Sequence, residues 1–218
     1  MTNRDEMIAG FRVLPGYFDR EAQAQLLAHV RNVQAMTPFW RPTMPRTGKP
    51  LSVKMTNFGS LGWMTDKAGG YRYVTHHPET GAPWQVIPEP LMALWEAHAD
   101  YPAVPEACLV NWYAPDSRMG MHVDWDEAAT DAAVISVSLG DKARFRLGNH
   151  TRGGTTQSMI LSSGDVVVLG GASRRCYHGV DRIYPGTSTL LDETSFPGGG
   201  RINLTLRRVT IPSAPKPC

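Results

Sequence analysis

Residues 107–113 read ACLVNWY, a run in which apolar and aromatic side chains predominate. Similar short runs recur through the second half of the chain, at 133–139, 143–147, 158–161, 166–169 and 202–211. Turn residues separate them, such as the pair GG at 153–154 and the stretch SSGD at 162–165. Short strands punctuated by turns are typical of a β-sandwich or jelly roll, and we predict such a core here.

Two earlier segments carry a helical pattern instead. Between residues 19 and 33, Asp19 can cap the first turn, and apolar residues recur at three- and four-residue spacing. Between residues 89 and 98, prolines precede a second apolar stripe. Such helices are expected to pack on one outer face of the sheets, which makes the whole fold α+β.

Composition limits the class of protein. The chain has 218 residues and a net charge of +2, which suits one domain, predicted at 1–211, and permits nucleic-acid binding without requiring it. The proline-containing tail 212–218 is predicted to be disordered. Cys108, Cys176 and Cys218 are far apart, which indicates a reducing compartment and neither a disulfide nor a cysteine zinc site. Without a long apolar run or a signal-peptide core, we expect a cytoplasmic monomer with no membrane contact.

The triplet His122-Val123-Asp124, followed by His178, is the main candidate for chemistry. Strand residues two apart share a face, so His122 and Asp124 can reach one metal ion. Two histidines and a carboxylate on one side of a metal leave the opposite positions open, as in non-haem Fe(II) oxygenases. The triplet alone is weak evidence, because His122 could be a half-buried histidine, Asp124 a turn residue and His178 a surface ring.

Alternation in two of the strands puts polar side chains on a common face. These are Asn111, Tyr113, Arg201, Asn203, Thr205 and Arg207. That face could be solvated, as on an edge strand, or could line an internal cavity. In a cavity, Arg201 or Arg207 would bind a carboxylate through two parallel N–H donors, which suits an acidic cosubstrate.

The segment 37–84 is rich in proline, glycine and aromatic residues and is expected to form loops and short hairpins. Between Arg41 and Arg72 there are six basic residues and one acidic residue, Asp66. Basic charge interleaved with aromatic rings suits phosphate contacts and base stacking. An ordinary basic loop with buried aromatic side chains has the same composition.

Several further blocks occur in a specific order along the chain. They are MTN at 55–57, LGW at 61–63, ACL at 107–109, YAP at 113–115, HVDWDE at 122–127, SVSLG at 136–140, GDVVV at 164–168, YHG at 177–179 and RINLTLR at 201–207. With these blocks, residues 11–207 resemble the AlkB-like Fe(II)- and 2-oxoglutarate-dependent dioxygenases, which repair alkylated nucleic acids. The resemblance implies a double-stranded β-helix core, with 37–84 as a substrate-recognition lid.

The resemblance also implies roles for individual residues. The Fe(II) ligands would be His122, Asp124 and His178. Arg201 would hold the distal carboxylate of 2-oxoglutarate, assisted by Tyr113 and Asn203. Nearer the chelating end would lie Arg207 and Asn111, and Thr205 completes this cosubstrate set. O₂ would be the second cosubstrate.

The damaged base would lie between Trp63 and the ring of His122, and Asp126 would read its exocyclic amino group. Tyr71, Arg72 and Tyr73 would lie in the lid near the nucleic-acid backbone, and Arg152 on the strand that contacts the target. The implied reaction is oxidative demethylation of 1-methyladenine and 3-methylcytosine in DNA, with release of formaldehyde, succinate and CO₂. The alternatives are the same chemistry on RNA, on a small molecule or on a peptide, and a non-catalytic jelly-roll binding module.

The chain departs from the family pattern at three places. Leu169 stands where the best-known members carry a tryptophan beside the metal site. The segment 184–200 is longer than expected, and Ile202 replaces an aromatic residue. None of these changes removes a predicted ligand.

Overall fold

The computed structural model describes residues 8–213. Beyond Ser213, the tail predicted to be disordered lies outside the described residues, as does Cys218. Cys108 and Cys176 are both buried and free. No helix in the described part is long and apolar enough to cross a membrane.

The described residues contain two α-helices, twelve strands and a short 3-10 helix. In chain order these are β1 (Phe11–Leu14), α1 (Arg20–Val33), β2 (Lys54–Gly59), β3 (Gly62–Asp66), β4 (Gly70–Val74), α2 (Glu89–His98), β5 (Ala107–Tyr113), β6 (Met119–His122), β7 (Val134–Gly140), β8 (Lys142–Leu147), β9 (Gln157–Leu161), β10 (Val166–Leu169), the 3-10 helix (Gly171–Arg175), β11 (His178–Tyr184) and β12 (Arg201–Arg207).

The strands form two larger sheets and one hairpin. Six antiparallel strands make the larger sheet, in the order β1-β10-β7-β12-β5-β2. Four antiparallel strands make the smaller sheet, in the order β6-β11-β8-β9, and β3 pairs only with β4. Most neighbours are distant in sequence, which is the connectivity of a jelly roll. The predicted double-stranded β-helix core is confirmed.

The outer face of the larger sheet is covered by both helices. Leu27 of α1 and Leu94 of α2 are buried in one cluster with Val110, Val137 and Leu204 of the sheet. These strands alternate, so every second residue faces the helices and the others face the smaller sheet. The N–H of Ala22 donates to the Asp19 carboxylate over 2.9 Å, which caps α1 as predicted.

Strand β12 lies between β7 and β5, at the centre of the larger sheet. The interpretation of its polar face as a solvated edge is therefore wrong. Ile202, Leu204 and Leu206 are fully buried in the helix-covered cluster, whereas Arg201 and Arg207 line a cavity on the other face.

Several elements differ from the sequence prediction. Strands β1 and β11 were not predicted, because they are short or lack a clear apolar alternation and are defined by distant partners. The strand expected to carry both His122 and Asp124 is β6, but it ends at His122, so Asp124 lies beyond it. Segment 54–59 was expected in loops and hairpins, but it is the edge strand β2 of the larger sheet. The last strand was expected to reach residue 211 and ends at Arg207, because the N–H groups of Val209 and Thr210 donate to the Glu106 carboxylate instead of continuing the ladder.

The long segment between β11 and β12 packs on the outer face. Leu190, Leu191 and Phe196 are buried in the helix-covered cluster, and Asp192 forms an ion pair with Arg31 of α1. The extra residues therefore add to the outer layer of the fold and leave the residues that line the inner cavity in place.

Candidate active site

A cavity with about 570 Å³ of empty space, its mouth included, lies between the two sheets. Its polar lining residues are Asn111, Tyr113, His122, Asp124, Ser136, His178, Arg201, Asn203, Thr205 and Arg207. All of the residues predicted to bind the metal and the cosubstrate therefore border one cavity. Leu169 also lines it, so its side chain fills space there without supplying a polar group.

Two strands of the smaller sheet bring the predicted metal ligands together. His122 at the end of β6 pairs in register with His178 at the start of β11, and Asp124 follows two residues later. Nε2 of His122 lies 3.7 Å from Oδ1 of Asp124, and Nε2 of His178 lies 3.6 Å from its Oδ2. The three ligand atoms all lie within 4.8 Å of one another, so one metal ion can contact them together.

Backbone carbonyls orient both imidazole rings. Nδ1 of His122 donates to the carbonyl of Gly120 over 2.9 Å, and Nδ1 of His178 donates to that of Cys176 over 3.1 Å. Because a carbonyl can only accept, the proton is on Nδ1 in each ring and a neutral ring presents the Nε2 lone pair to a metal. Burial, and then the neighbouring His122, lower the pKa of His178 to about 4, so that ring is neutral at neutral pH.

The Asp124 carboxylate is held from one side only. Nη2 of Arg207 donates to Oδ1 over 2.8 Å, while Oδ2 is buried and has no hydrogen-bond partner among the described residues. Burial alone would raise the pKa of Asp124, but neighbouring positive charge, that of Arg207 first, outweighs it and holds the pKa below the usual range. An unpaired, ionised oxygen beside two imidazole lone pairs fits a divalent cation, and the donor set fits Fe(II).

A buried acid, Glu127, lies behind the metal site, and its role was not predicted from the sequence. Its Oε1 accepts from Nη1 of Arg207 over 2.7 Å and from the Tyr73 hydroxyl, and its Oε2 accepts from Nη2 of Arg174 over 3.0 Å. Arg174 also donates to the backbone carbonyl of Asp124 over 3.1 Å. The network fixes the metal-binding segment from behind. The signal in the sequence was its place in the block HVDWDE at 122–127, three residues after the predicted ligand Asp124.

At the far end of the polar stripe, Arg201 is almost fully buried, with 1% of its surface exposed. It donates to the Ser138 hydroxyl and, over 3.2 Å, to the Asp141 carbonyl, while Nε has no partner. No carboxylate among residues 8–213 forms an ion pair with it. Burial lowers the pKa of Arg201 to about 10, so it remains charged at neutral pH. A buried cation without a counterion fits the distal carboxylate of 2-oxoglutarate.

A glycine fixes the position of Arg201. Gly200 has φ of +93°, and a Cβ there would lie 2.1 Å from the carbonyl oxygen of Tyr113. Only glycine accepts both the positive φ and the short distance to that carbonyl oxygen. The close contact between the two backbones keeps Arg201 opposite Tyr113 in the ladder. Burial raises the pKa of Tyr113 to about 12, so its hydroxyl remains a hydrogen-bond donor in the cavity.

The remaining cosubstrate candidates differ in whether their polar atoms already have hydrogen-bond partners. The Asn203 amide already donates to Ser136 Oγ over 2.7 Å and to the Val137 carbonyl over 3.0 Å, and it accepts from Thr205. Oδ1 of Asn111 is buried without a hydrogen-bond partner among the described residues. Asn111 therefore offers an open polar atom to a ligand, whereas the Asn203 side chain is engaged within its own sheet.

The hairpin of β3 and β4 meets the metal-binding segment through two side chains. Nε1 of Trp63 donates to Oδ2 of Asp126 over 2.7 Å, and the indole stacks on Tyr71 with centroids 5.8 Å apart. Tyr73 reaches Glu127 in the buried network. Trp63 and Asp126, both predicted to contact the base, are therefore in direct contact with each other.

The other predicted substrate residues are not gathered at one place. Arg72 forms an ion pair with Asp66 over 2.6 Å within the hairpin, so the carboxylate partly neutralises its charge. The Tyr73 hydroxyl points into the buried network instead of out towards a nucleic-acid backbone. Arg152 is exposed in the turn between β8 and β9, and does not lie on a strand.

Comparison with known proteins gives a consistent result. Residues 10–207 match the sequence profile of the 2OG-Fe(II) oxygenase superfamily. The chain is 50% identical to the alpha-ketoglutarate-dependent dioxygenase AlkB homolog of Caulobacter vibrioides, over 93% of this chain and 89% of that protein. It is 37% identical to the alpha-ketoglutarate-dependent dioxygenase AlkB of Escherichia coli, over 93% of this chain and 92% of that protein. The solved structure of OsALKBH1 superposes with a TM-score of 0.77 at 29% identity, covering 93% of this chain and 99% of that one.

Proposed function

This chain belongs to the 2OG-Fe(II) oxygenase superfamily and, within it, to the AlkB family of Fe(II)- and 2-oxoglutarate-dependent dioxygenases, and from that premise we propose that it oxidatively demethylates N-alkylated bases in single-stranded DNA. The proposed substrates are 1-methyladenine and 3-methylcytosine. His122, Asp124 and His178 would hold Fe(II), and Arg201 would hold the distal carboxylate of 2-oxoglutarate. When bound, Fe(II) with 2-oxoglutarate and O₂ supplies the oxidation of the N-methyl carbon, giving formaldehyde, succinate, CO₂ and the restored base.

The observation that carries this proposal is the bond between Trp63 and Asp126. Because the indole N–H occupies only Oδ2 of Asp126, Oδ1 can accept from an exocyclic amino group on a base that stacks on the indole. Both proposed bases have such an amino group and carry a positive charge, which a carboxylate and aromatic faces attract. Asp126 is two residues from Asp124, so a base that it binds would hold its methyl group beside the metal site.

The charge of the hairpin region also supports a nucleic-acid substrate. Arg41, Arg46, Lys49 and Lys67 are exposed and form no ion pair within residues 8–213. Such cations suit phosphates, and the methylated base would be extruded from the strand to lie between Trp63 and the His122 ring. Trp63 and the His122 ring would stack on the base, and Asp126 would accept a hydrogen bond from its amino group. Together they would hold the reacting carbon at the cavity mouth.

The direct test is 2-oxoglutarate-dependent formaldehyde release from oligonucleotides that carry a single 3-methylcytosine or 1-methyladenine, as DNA and as RNA of the same sequence. We expect the wild type to release formaldehyde from the methylated DNA and the Asp124→Ala variant to release none. Faster turnover of RNA would transfer the proposal to RNA. Absence of formaldehyde from both nucleic acids, in protein that binds Fe(II) and 2-oxoglutarate, would overturn it. That the protein is a cytoplasmic monomer remains a prediction from the sequence.

A further inference from the structure

An exposed aromatic side chain lies between the metal ligand Asp124 and the proposed base reader Asp126. Trp125 leaves 58% of its surface exposed. The guanidinium of Arg175, from the 3-10 helix, lies over its ring at 5.0 Å from the centroid. Trp125 belongs to neither buried cluster, and within the described residues no other aromatic ring packs against it. Packing in the folded protein therefore does not explain this tryptophan.

Arg175 is exposed as well, and its charge is not neutralised. Within residues 8–213 it forms neither an ion pair nor a side-chain hydrogen bond, and its side chain contacts the Trp125 ring instead. A guanidinium against an aromatic face can bind a phosphate at its free edge while the ring stacks on a base. The pair thus combines the two kinds of contact that single-stranded nucleic acid requires.

Both side chains are anchored to the metal site by their neighbours in the chain. Arg174, which precedes Arg175, bonds to Glu127 and to the Asp124 carbonyl, and the Cys176 carbonyl orients His178. Trp125 follows Asp124 directly. The pair is therefore carried on backbone that is fixed to the metal-binding segment, instead of on a free loop.

We propose that Trp125 and Arg175 form a subsite for the nucleotide next to the methylated base in single-stranded nucleic acid. The indole stacks on the neighbouring base, and the guanidinium binds the adjacent phosphate. The inference rests on the proposed function, because it assumes that a nucleic acid enters this cavity. It assigns to the chain a contact outside the pocket that holds the damaged base.

The first experiment measures whether Trp125 and a neighbouring base depend on each other. Pentanucleotides would carry a central 3-methylcytosine, with a normal base or an abasic site on its 5′ or 3′ side. With normal bases, Trp125→Ala is expected to raise KM about 10-fold, the size of one lost base-stacking contact, and Trp125→Phe to restore most of it. In the wild type, an abasic site on one side should raise KM by a similar factor. Trp125→Ala should raise KM little further on that abasic substrate. Equal losses by Trp125→Ala on normal and abasic substrates would overturn the stacking role.

The second experiment does not depend on turnover. Fluorescence anisotropy would measure binding of labelled, unmethylated single-stranded DNA and RNA of one sequence at several salt concentrations. Trp125→Ala and Arg175→Ala should weaken binding, and Arg175→Ala should make it less sensitive to salt because one phosphate contact is lost. Matched controls are Tyr17→Ala, an exposed ring beside Phe18 and His98, and Lys142→Ala, an exposed cation at the end of β8 far from His178. Neither control should change the affinity.

The outcomes separate the two proposals. If the wild type releases formaldehyde and both subsite variants bind and turn over like it, the subsite is wrong and the proposed function stands. If the wild type releases no formaldehyde but binds single strands in a way that depends on Trp125 and Arg175, the proposed function is wrong, and the pair stands only as a contact for single-stranded nucleic acid. Single strands that bind equally well without Trp125 and Arg175 overturn the subsite in every case.

Discussion

Arg207 donates to Oδ1 of Asp124 over 2.8 Å and leaves Oδ2 of the same carboxylate facing His178 without a hydrogen bond. Through its other terminal nitrogen the same guanidinium donates to Glu127 over 2.7 Å. One planar group therefore fixes the metal-binding carboxylate and the buried acid behind it. The free oxygen of Asp124 is a consequence of this arrangement, because the arginine occupies only one side of the carboxylate.

We expect Arg207→Lys to weaken metal binding. A single ammonium cannot reproduce the planar fork that reaches both carboxylates, so Asp124 loses its fixed orientation. Loss of such a supporting contact should lower Fe(II) affinity by about 10- to 100-fold. The measurement is an anaerobic Fe(II) titration with 2-oxoglutarate, followed by the visible charge-transfer band. Arg208→Lys is the matched control, because Arg208 bonds to Glu106 and Thr210 instead. Unchanged Fe(II) affinity in Arg207→Lys would remove Arg207 from this role.

Replacement of Arg201 should affect the cosubstrate specifically. The buried guanidinium has no carboxylate partner within the described residues, so 2-oxoglutarate would supply the missing counterion. Removing one partner of a buried charge pair typically costs about 2–5 kcal/mol, so Arg201→Met should raise the Kd for 2-oxoglutarate by about 100-fold. In the wild type, metal and 2-oxoglutarate together should raise the thermal midpoint, and 2-oxoglutarate should add nothing in Arg201→Met. A variant with wild-type affinity for 2-oxoglutarate would contradict the assignment.

Most of the site could be predicted because it follows local rules. Residues two apart on a strand share a face, and this rule is enough to put Arg201 and Arg207 on one side of β12. The same rule put Asp124 beside His122, although β6 ends at His122 and the chain beyond it brings the carboxylate there. Both helices were predicted for a similar reason, since their apolar spacing and their start signals, Asp19 for α1 and the prolines for α2, lie within one segment. The sequence blocks of the family then linked these segments to one another.

The parts that could not be predicted depend on distant partners. Strand β1 exists because it pairs with β10, about 150 residues away along the chain. Glu127 was given no role of its own from the sequence, and only the fold brings Arg174 and Arg207 to it from two different elements. Arg72 was expected to face nucleic acid, but the tight hairpin brings Asp66 within reach first. Such contacts depend on three-dimensional proximity, which no local pattern encodes.

The Asp66–Arg72 pair should make the hairpin sensitive to acid. The hydrogen bond from Arg72, and then one from the N–H of Gly69, lower the pKa of Asp66 to about 2 from its usual 3.8. A carboxylate with a lowered pKa in the fold stabilises it above pH 3.8, and this contribution is lost as the pH falls from 3.8 towards 2. Asp66→Asn should therefore melt at a slightly lower temperature than the wild type at pH 6, and the two midpoints should converge near pH 2. The difference is expected to be small because the pair is partly exposed. A difference that stays constant down to pH 2, in thermal melts followed by circular dichroism, would contradict this origin.

Asp126 should determine which methylated bases are accepted, without affecting cosubstrate binding. Asp126→Asn keeps an oxygen for the Trp63 N–H but removes the charge that would attract a cationic base. Hydrogen bonds to charged groups contribute about 1.5–3 kcal/mol, so kcat/KM on 3-methylcytosine should fall about 10- to 150-fold. Turnover of 3-methylthymine, which is neutral and has a carbonyl in place of the amino group, should fall less or rise, because the introduced side-chain amide can donate to that carbonyl. Formaldehyde release from the two oligonucleotides gives this ratio, with Asp192→Asn on the outer face as the control. If the ratio of the two substrates does not change in Asp126→Asn, Asp126 does not read the base.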